Sequence, residues 1–246
     1  MEQNNQTSQT NQNTQIKEKE KIVKLGKEKE VKIYQWKTKA KKDFIKKIKE
    51  KKEQITEEDI LEVLFNPYVE PNDIYFSEDE IQYLLVQIRD FSIKDDIKFR
   101  IKCSSCSDII EVKTRPLDIV KYQENQYPTE IDNVVWKDIK LRNTLEIAKH
   151  KLDMLPWIVE MLLHIEKANG EEIKSLEEVV YFYENLSLDE SSKLEEDYDK
   201  VRSLLSIEKE IKCPHCNETD TYFFKEVPKF FDPLLPKVDK VSGIKA

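Results

Sequence analysis

The hydrophobic and polar positions divide this chain into short elements. Residues 1–16 are rich in Asn, Gln and Thr with no hydrophobic period, and residues 17–30 alternate charge around Ile22, Val23 and Leu25. This predicts a disordered polar and charged tail over 1–30, with order beginning near Val31. VKIYQW from Val31 is β-branched and aromatic, so it reads as a short strand or extended arm. A helix is expected from Thr38 to about Gln54, where Ala40, Phe44, Ile45 and Ile48 share one stripe. Thr56 and Asp59 open a second helix, TEEDILEVLF, which NPYVEP ends. Ser77 with Glu80 forms a capping-box signature before IQYLLVQIRDF, whose buried face is Ile81, Leu84, Leu85 and Ile88.

Alternation returns at Asp96–Lys102 and, more loosely, at Asp108–Lys113, on either side of Cys103-Ser-Ser-Cys106. The same layout of strand, CxxC and strand recurs as EIK, Cys213-Pro-His-Cys216 and TDTYFFKEV. Between the two hairpins, helices are expected over Leu141–Asp153, Pro156–Ala168, Ser175–Leu186 and Leu188–Ser206, with Asn169-Gly170 as a helix stop. NQYPTEIDNVVWKDIKLR reads as a loop followed by a strand. VPKFFDPLLPK, with three prolines, reads as an extended arm. The expected fold is α+β and mainly helical, with two CxxC hairpins forming a zinc-ribbon-like four-cysteine site around a long helical insertion. Its parts are the tail (1–30), an N-terminal helical region (31–94), the first hairpin (95–116), the insertion (117–207), the second hairpin (208–227) and a C-terminal arm (228–246).

Composition narrows the function classes. Of 246 residues 39% are apolar, below the usual 45–50% or so but too many for a wholly disordered chain. No apolar run approaches the roughly 18 residues of a membrane span, and the N-terminus lacks the apolar core of a secretory signal. With three glycines, neither a P-loop nor GxGxxG occurs, and GxSxG and HExxH are absent too. Common enzyme chemistries are unsupported, and the chain reads as a non-enzyme. The net charge of −8 is uneven. Residues 17–52 carry sixteen Lys against five Glu and one Asp, a net of +10, so residues 53–246 sum to −17 once Glu2 is counted. A basic head on an acidic body suits protein contacts better than a uniform nucleic-acid surface.

All four cysteines fall in the two CxxC pairs. A CxxC turn sets two thiolates about 3.5–4 Å apart, the edge of a tetrahedron around a metal with bonds near 2.3 Å. Cys103, Cys106, Cys213 and Cys216 are therefore expected to hold one structural Zn²⁺. The 107 residues from Cys106 to Cys213 are no bar, because loop closure costs grow slowly with length. A reducing compartment disfavours disulfides, a thioredoxin-type site would need a helix after the first cysteine, and unligated cysteines are the remaining alternative.

Other residues carry weaker signals. His150 and His164 lie on expected helices with no convergent partner, which usually means a surface or satisfied core histidine. Glu57, Glu58, Asp59 and Glu195, Glu196, Asp197 read as solvated runs and helix starts. Trp157, Met161 and Ile165 make a core row at helical spacing. The lysines from Lys37 to Lys52 fit a solvated face or docking on an acidic protein better than phosphate binding, since only five arginines, Arg142 among them, occur in the chain. Phe230, Phe231, Leu234 and Leu235, stiffened by prolines, form a hydrophobic plug for which docking on a partner is favoured over folding back on the chain.

The order KIYQWKTKAKKDFI, EEDILEVLFNPYVEP, EIQYLLVQIRDFS and KFRIKCSSCSDIIEV resembles the baseplate hub assembly proteins of T-even-like contractile-tailed bacteriophages, mainly over residues 31–123. The resemblance extends more loosely to IDNVVWKDIKLRNTLEIA. It implies a non-enzymatic hub component or assembly chaperone whose partners are other tail and baseplate proteins, with Cys103 and Cys106 carried over. Such a protein works in the host cytoplasm during assembly and can remain in the virion tail baseplate; self-association is a further expectation. The alternative is a zinc-ribbon nucleic-acid-binding regulator using the lysine block, whose affinity would fall steeply with salt. A thiol oxidoreductase ranks third and would need one reactive cysteine.

Overall fold

The computed structural model describes residues 19–51, 56–71, 75–139, 148–149, 151–225, 227, 230–231 and 234. The chain enters as a hairpin of β1 (Glu20–Lys24) and β2 (Glu30–Tyr34), with β3 (Val69–Glu70) added to the free side of β2. Pairing runs antiparallel from Glu20 opposite Tyr34 to Lys24 opposite Glu30. Val23, Leu25, Val31 and Ile33 point inward and are buried. The tail expected over 1–30 is thus corrected, because a strand begins at Glu20. One buried position in five residues of β1, set among alternating charges, is too little apolar signal to show a period of two.

Helix α1 (Thr38–Glu50) buries Ala40 and Phe44 as expected. Helix α2 (Glu57–Ile60) then widens into a π-helical turn, Leu61–Phe65, and tightens into a 3₁₀ turn, Asn66–Tyr68. The Trp36 indole donates to the Leu64 carbonyl of the wide turn at 2.8 Å. Helix α3 (Glu78–Ser92) starts with the expected reciprocal Ser77–Glu80 capping box. Its inner face, including Leu84 and Ile88, joins α1, the turns and the three-stranded sheet in one core.

Two hairpins follow the expected layout. Strands β4 (Ile97–Lys102) and β5 (Ile109–Thr114) pair through to Lys102 opposite Ile109. After a 3₁₀ turn at Pro116–Ile119, β6 (Val120–Gln123) leads into the insertion. The chain returns on β11 (Leu204–Lys212), whose first half pairs with β6 and whose second half pairs with β12 (Thr219–Phe223).

The insertion itself is not simply helical. It carries an antiparallel sheet of β7 (Thr129–Ile131), β8 (Val134–Trp136), β9 (Ile165–Ala168) and β10 (Glu171–Glu172), in spatial order 10-9-8-7. Helices α4 (Pro156–Leu163), α5 (Leu176–Glu184) and α6 (Leu188–Val201) pack on it around Trp136, Met161, Leu162, Val179, Leu194 and Tyr198. The described residues hold twelve strands in four sheets and six α-helices, so the mainly helical expectation is corrected to a mixed fold.

The errors have local causes. Pro156–Ala168 splits into α4 and β9, and Asn169-Gly170, with φ of 52° and 82°, is the turn of the β9–β10 hairpin, not a helix stop. Asn-Gly with both φ positive is the favoured two-residue hairpin turn. Asp132-Asn133, φ 48° and 67°, does the same between β7 and β8. Leu188–Ser206 ends as a helix at Val201 and becomes strand from Leu204. Most of Leu141–Asp153, with Arg142 and His150, lies outside the described residues.

The C-terminal plug folds back on its own chain. Leu234 is buried in the N-terminal core and Phe230 and Phe231 pack against it. Phe231 meets Phe44 at 5.4 Å between ring centres, Phe230 meets Trp36 edge-on, and the buried Arg89 donates from Nε to the Phe230 carbonyl at 3.0 Å. These three side chains are seated on the chain's own core; Leu235 lies outside the described residues.

Candidate metal centre

The two CxxC pairs come together at the tips of their hairpins. The four sulfurs all lie within 4.8 Å of one another. Across the hairpins, Cys103 Sγ is 3.7 Å from Cys216 Sγ, and Cys106 Sγ is 3.7 Å from Cys213 Sγ. Tetrahedral bonds near 2.3 Å require an edge of about 3.8 Å, so the donor set fits a zinc-sized ion. It is the only such cluster of potential ligands among the described residues.

The backbone explains why both pairs adopt this shape. In the first knuckle Cys103 N–H donates to the Asp108 carbonyl at 2.8 Å, and Ser107 N–H donates to the Cys103 carbonyl at 3.0 Å. The second repeats it: Cys213 to Glu218 at 2.7 Å, Asn217 to Cys213 at 3.0 Å. Ser107 and Asn217, each following a second cysteine, take φ of 67° and 62°, the left-handed region that Asn tolerates better than most residues. The first cysteine of each pair is buried and the second exposed. Cys103 and Cys213 thereby join a core with Val86, Phe99, Ile110, Val112, Ile119 and Ile207, which ties the site to α3 as well as to both hairpins.

Electrostatics favour a bound cation. Backbone N–H groups of Cys106 and Ser105 draw the Cys103 thiol down to about 7. Cys106, although the Asp108 backbone N–H acts to lower it, is pushed up to about 12 by desolvation and the other sulfurs. Four thiolates so close cannot all ionise without a positive ion between them. Ion binding must therefore release protons and strengthen as pH rises. His215, inside the second knuckle, is exposed with Nδ1 3.8 Å from an Asp108 carboxylate oxygen.

The strand pairing answers how ligands 107 residues apart meet. Val120–Gln123 pairs residue by residue with Leu204–Ile207, so the insertion leaves and returns on adjacent strands. Loop closure is thus borne by this ladder.

His164 is fully buried, donates from Nδ1 to the Lys137 carbonyl at 2.7 Å and stacks on Tyr127 at 4.6 Å. Burial holds it at about 3, so it is a neutral core histidine. Met161 and Ile165 are core, whereas Trp157 is 45% exposed. Asp59 and Asp197 are buried, not solvated as expected; Asp59 accepts from the Thr56 N–H at 3.1 Å, and Asp197 pairs with Lys200. In the lysine block, Lys46, Lys47 and Lys51 pair with Glu50, Glu62 and Asp59.

Sequence reasoning missed a buried polar knot. Lys29 Nζ lies 2.8 Å from Glu80 and 3.4 Å from Asp138, and Asn125 Nδ2 donates to the other Glu80 oxygen at 3.1 Å. The capping signature located Glu80, but its partners come from three distant segments that no local pattern connects. No helix among the described residues is long and apolar enough to cross a membrane.

Residues 14–232 match a protein-family model described as T4 bacteriophage base plate protein. No curated protein and no solved structure matches the chain.

Proposed function

The chain belongs to the T4 bacteriophage base plate protein family, and we propose that it serves the tail baseplate as a non-enzymatic hub component or assembly chaperone working through protein contacts. The observation that carries this reading is the family match, which spans residues 14–232 and so takes in both knuckles and the whole insertion. The partners are other baseplate proteins, met in the host cytoplasm during assembly and, for a hub component, retained in the virion.

Zinc is the structural element of the proposal. Cys103, Cys106, Cys213 and Cys216 would hold it, and the ion would supply a rigid tetrahedral tie between the hairpins. Four thiolates saturate a tetrahedral ion and leave no open position for substrate, which supports a scaffold over a catalyst. Lys46, Lys47 and Lys51 of the lysine block are already paired with acidic neighbours of the same chain, which leaves fewer free cations for a phosphate backbone.

The test is to isolate the tagged chain from infected cells at moderate salt after nuclease treatment. Co-migration with baseplate proteins in assembly intermediates or finished tails is expected. Recovery as a free protein, or bound to nucleic acid alone, would overturn the reading.

A further inference from the structure

We infer that the lysine row of α1 docks on the α5–α6 face of a second copy of this chain, so that copies associate head to tail. This rests on the reading of the chain as a protein that works by protein contacts. It concerns surfaces distinct from the cysteine site.

On α1, Lys39, Lys42, Lys46 and Lys49 are all exposed. Steps of three, four and three residues set them in one row along the helix, turned away from the buried Ala40 and Phe44. Within the row only Lys46 has an ion partner among the described residues, Glu50 one turn on. The neighbouring Lys47 pairs with Glu62, so the pairs that α1 makes stay inside the N-terminal region and do not reach the insertion.

The receiving face lies on the other core. Helices α5 and α6 carry nine carboxylates against two lysines, and both lysines are occupied, Lys193 by Asp132 and Lys200 by Asp197. Glu177, Tyr181 and Glu184 recur at helical spacing on the exposed side of α5, and the exposed Leu188 and Asp189 open α6. Tyr181 is 69% exposed and Leu188 86%. Large apolar side chains standing among carboxylates match lysines in kind: the aliphatic stems cover Leu188 and the Tyr181 ring, while the ammonium groups meet the ring face and the carboxylates.

Charge identifies the occupant. Residues 17–52 sum to +10 and residues 53–246 to −17, so every copy carries one face and its complement. A polynucleotide drawn to α1 would be repelled by the acidic body, whereas a second copy brings the lysine row the carboxylates it lacks. The two faces belong to different cores, α1 to the one with Leu84 and Ile88 and α5–α6 to the one around Trp136. One copy thus has a separate face for each of two neighbours, a heterologous contact that closes into a ring or extends as a row.

The test is sedimentation velocity of the full, zinc-loaded, nuclease-treated chain over a concentration series. Association is expected at about 0.05 M NaCl, weakened at least roughly tenfold at about 0.5 M. A head variant (Lys39→Gln, Lys42→Gln and Lys49→Gln) and a face variant (Tyr181→Ser, Glu184→Gln and Leu188→Ser) should each weaken it at least roughly tenfold. Mixed together, the two should form a pair of one each and stop there, because each keeps the face that the other lacks. All six positions are exposed, so the fold should stand, as circular dichroism would check. If a triple variant unfolds, Lys42→Gln or Tyr181→Ser alone takes its place, with a smaller loss expected. A wild-type chain monomeric at low salt up to about 0.1 mM, association unchanged by both variants, or variants that fail to pair when mixed would overturn the inference. If it fails while the chain still co-migrates with baseplate proteins, only this inference falls.

Discussion

Gly26 occupies a position where a side chain has no room. A Cβ there would lie 2.1 Å from Asn125 Oδ1, and Asn125 cannot swing aside because its backbone N–H donates to Leu25 and its amide to Glu80. Gly26→Ala should therefore lower unfolding free energy by about 1–3 kcal/mol, the usual cost of overpacking, as read by urea denaturation. His164 gives a pH signature. Its folded value of about 3 lies below the unfolded one near 6.5, so the unfolded chain binds the extra proton between these limits. Stability from this group is complete above the unfolded value and is lost as pH falls, by up to about 1.4 kcal/mol per pH unit. Burial raises Glu80 and Asp138, which acts in the opposite sense, so the quantity to compare is the slope of wild type against His164→Gln between pH 6.5 and 5. The variant should be flatter; parallel slopes would mean that His164 is not held neutral.

Among the elements, the paired knuckles make the sharpest prediction. Ser107 holds a left-handed backbone without the natural tolerance of Asn217. Ser107→Gly should raise stability by about 0.5–1 kcal/mol, while Asn217→Gly should change little, both measured by thermal melts. At the α6 start, Ser187 and Glu190 form a second complete capping box, so Ser187→Ala should cost about 1 kcal/mol. The same scale shows what the sequence made legible. The α3 capping box, the α1 stripe and both CxxC hairpins were readable because each signal is local and periodic. The β9–β10 hairpin is hidden in the sequence because Pro156 and the apolar run to Ile165 continue a helical period, which makes Asn169-Gly170 read as a helix stop and not as a turn. Strand β1 was hidden by charges on its exposed face. The return of Phe230 and Phe231 to Trp36 and Phe44 joins opposite ends of the chain, which no local pattern encodes.

For the whole molecule, the proposed zinc would tie distant segments of a baseplate protein together. The insertion is pinned by the β6–β11 ladder, so removing metal should loosen the knuckles while the core around Trp136 persists. Hydrogen exchange after chelation should show lost protection at β4–β5 and β12, with α4 and α6 retained. The four cysteines were legible as one site from their spacing alone, but what brings them together, the ladder and the shared core with Val86 and Ile119, depends on tertiary packing. The most direct test of the central claim is titration of the purified, reduced chain with a mercurial while released metal is followed by a zinc-sensitive dye. The account predicts one zinc per chain, released in step with four thiols, and none bound by a Cys103→Ser chain. A metal-free chain with four freely reactive thiols, or release of iron in place of zinc, would contradict it.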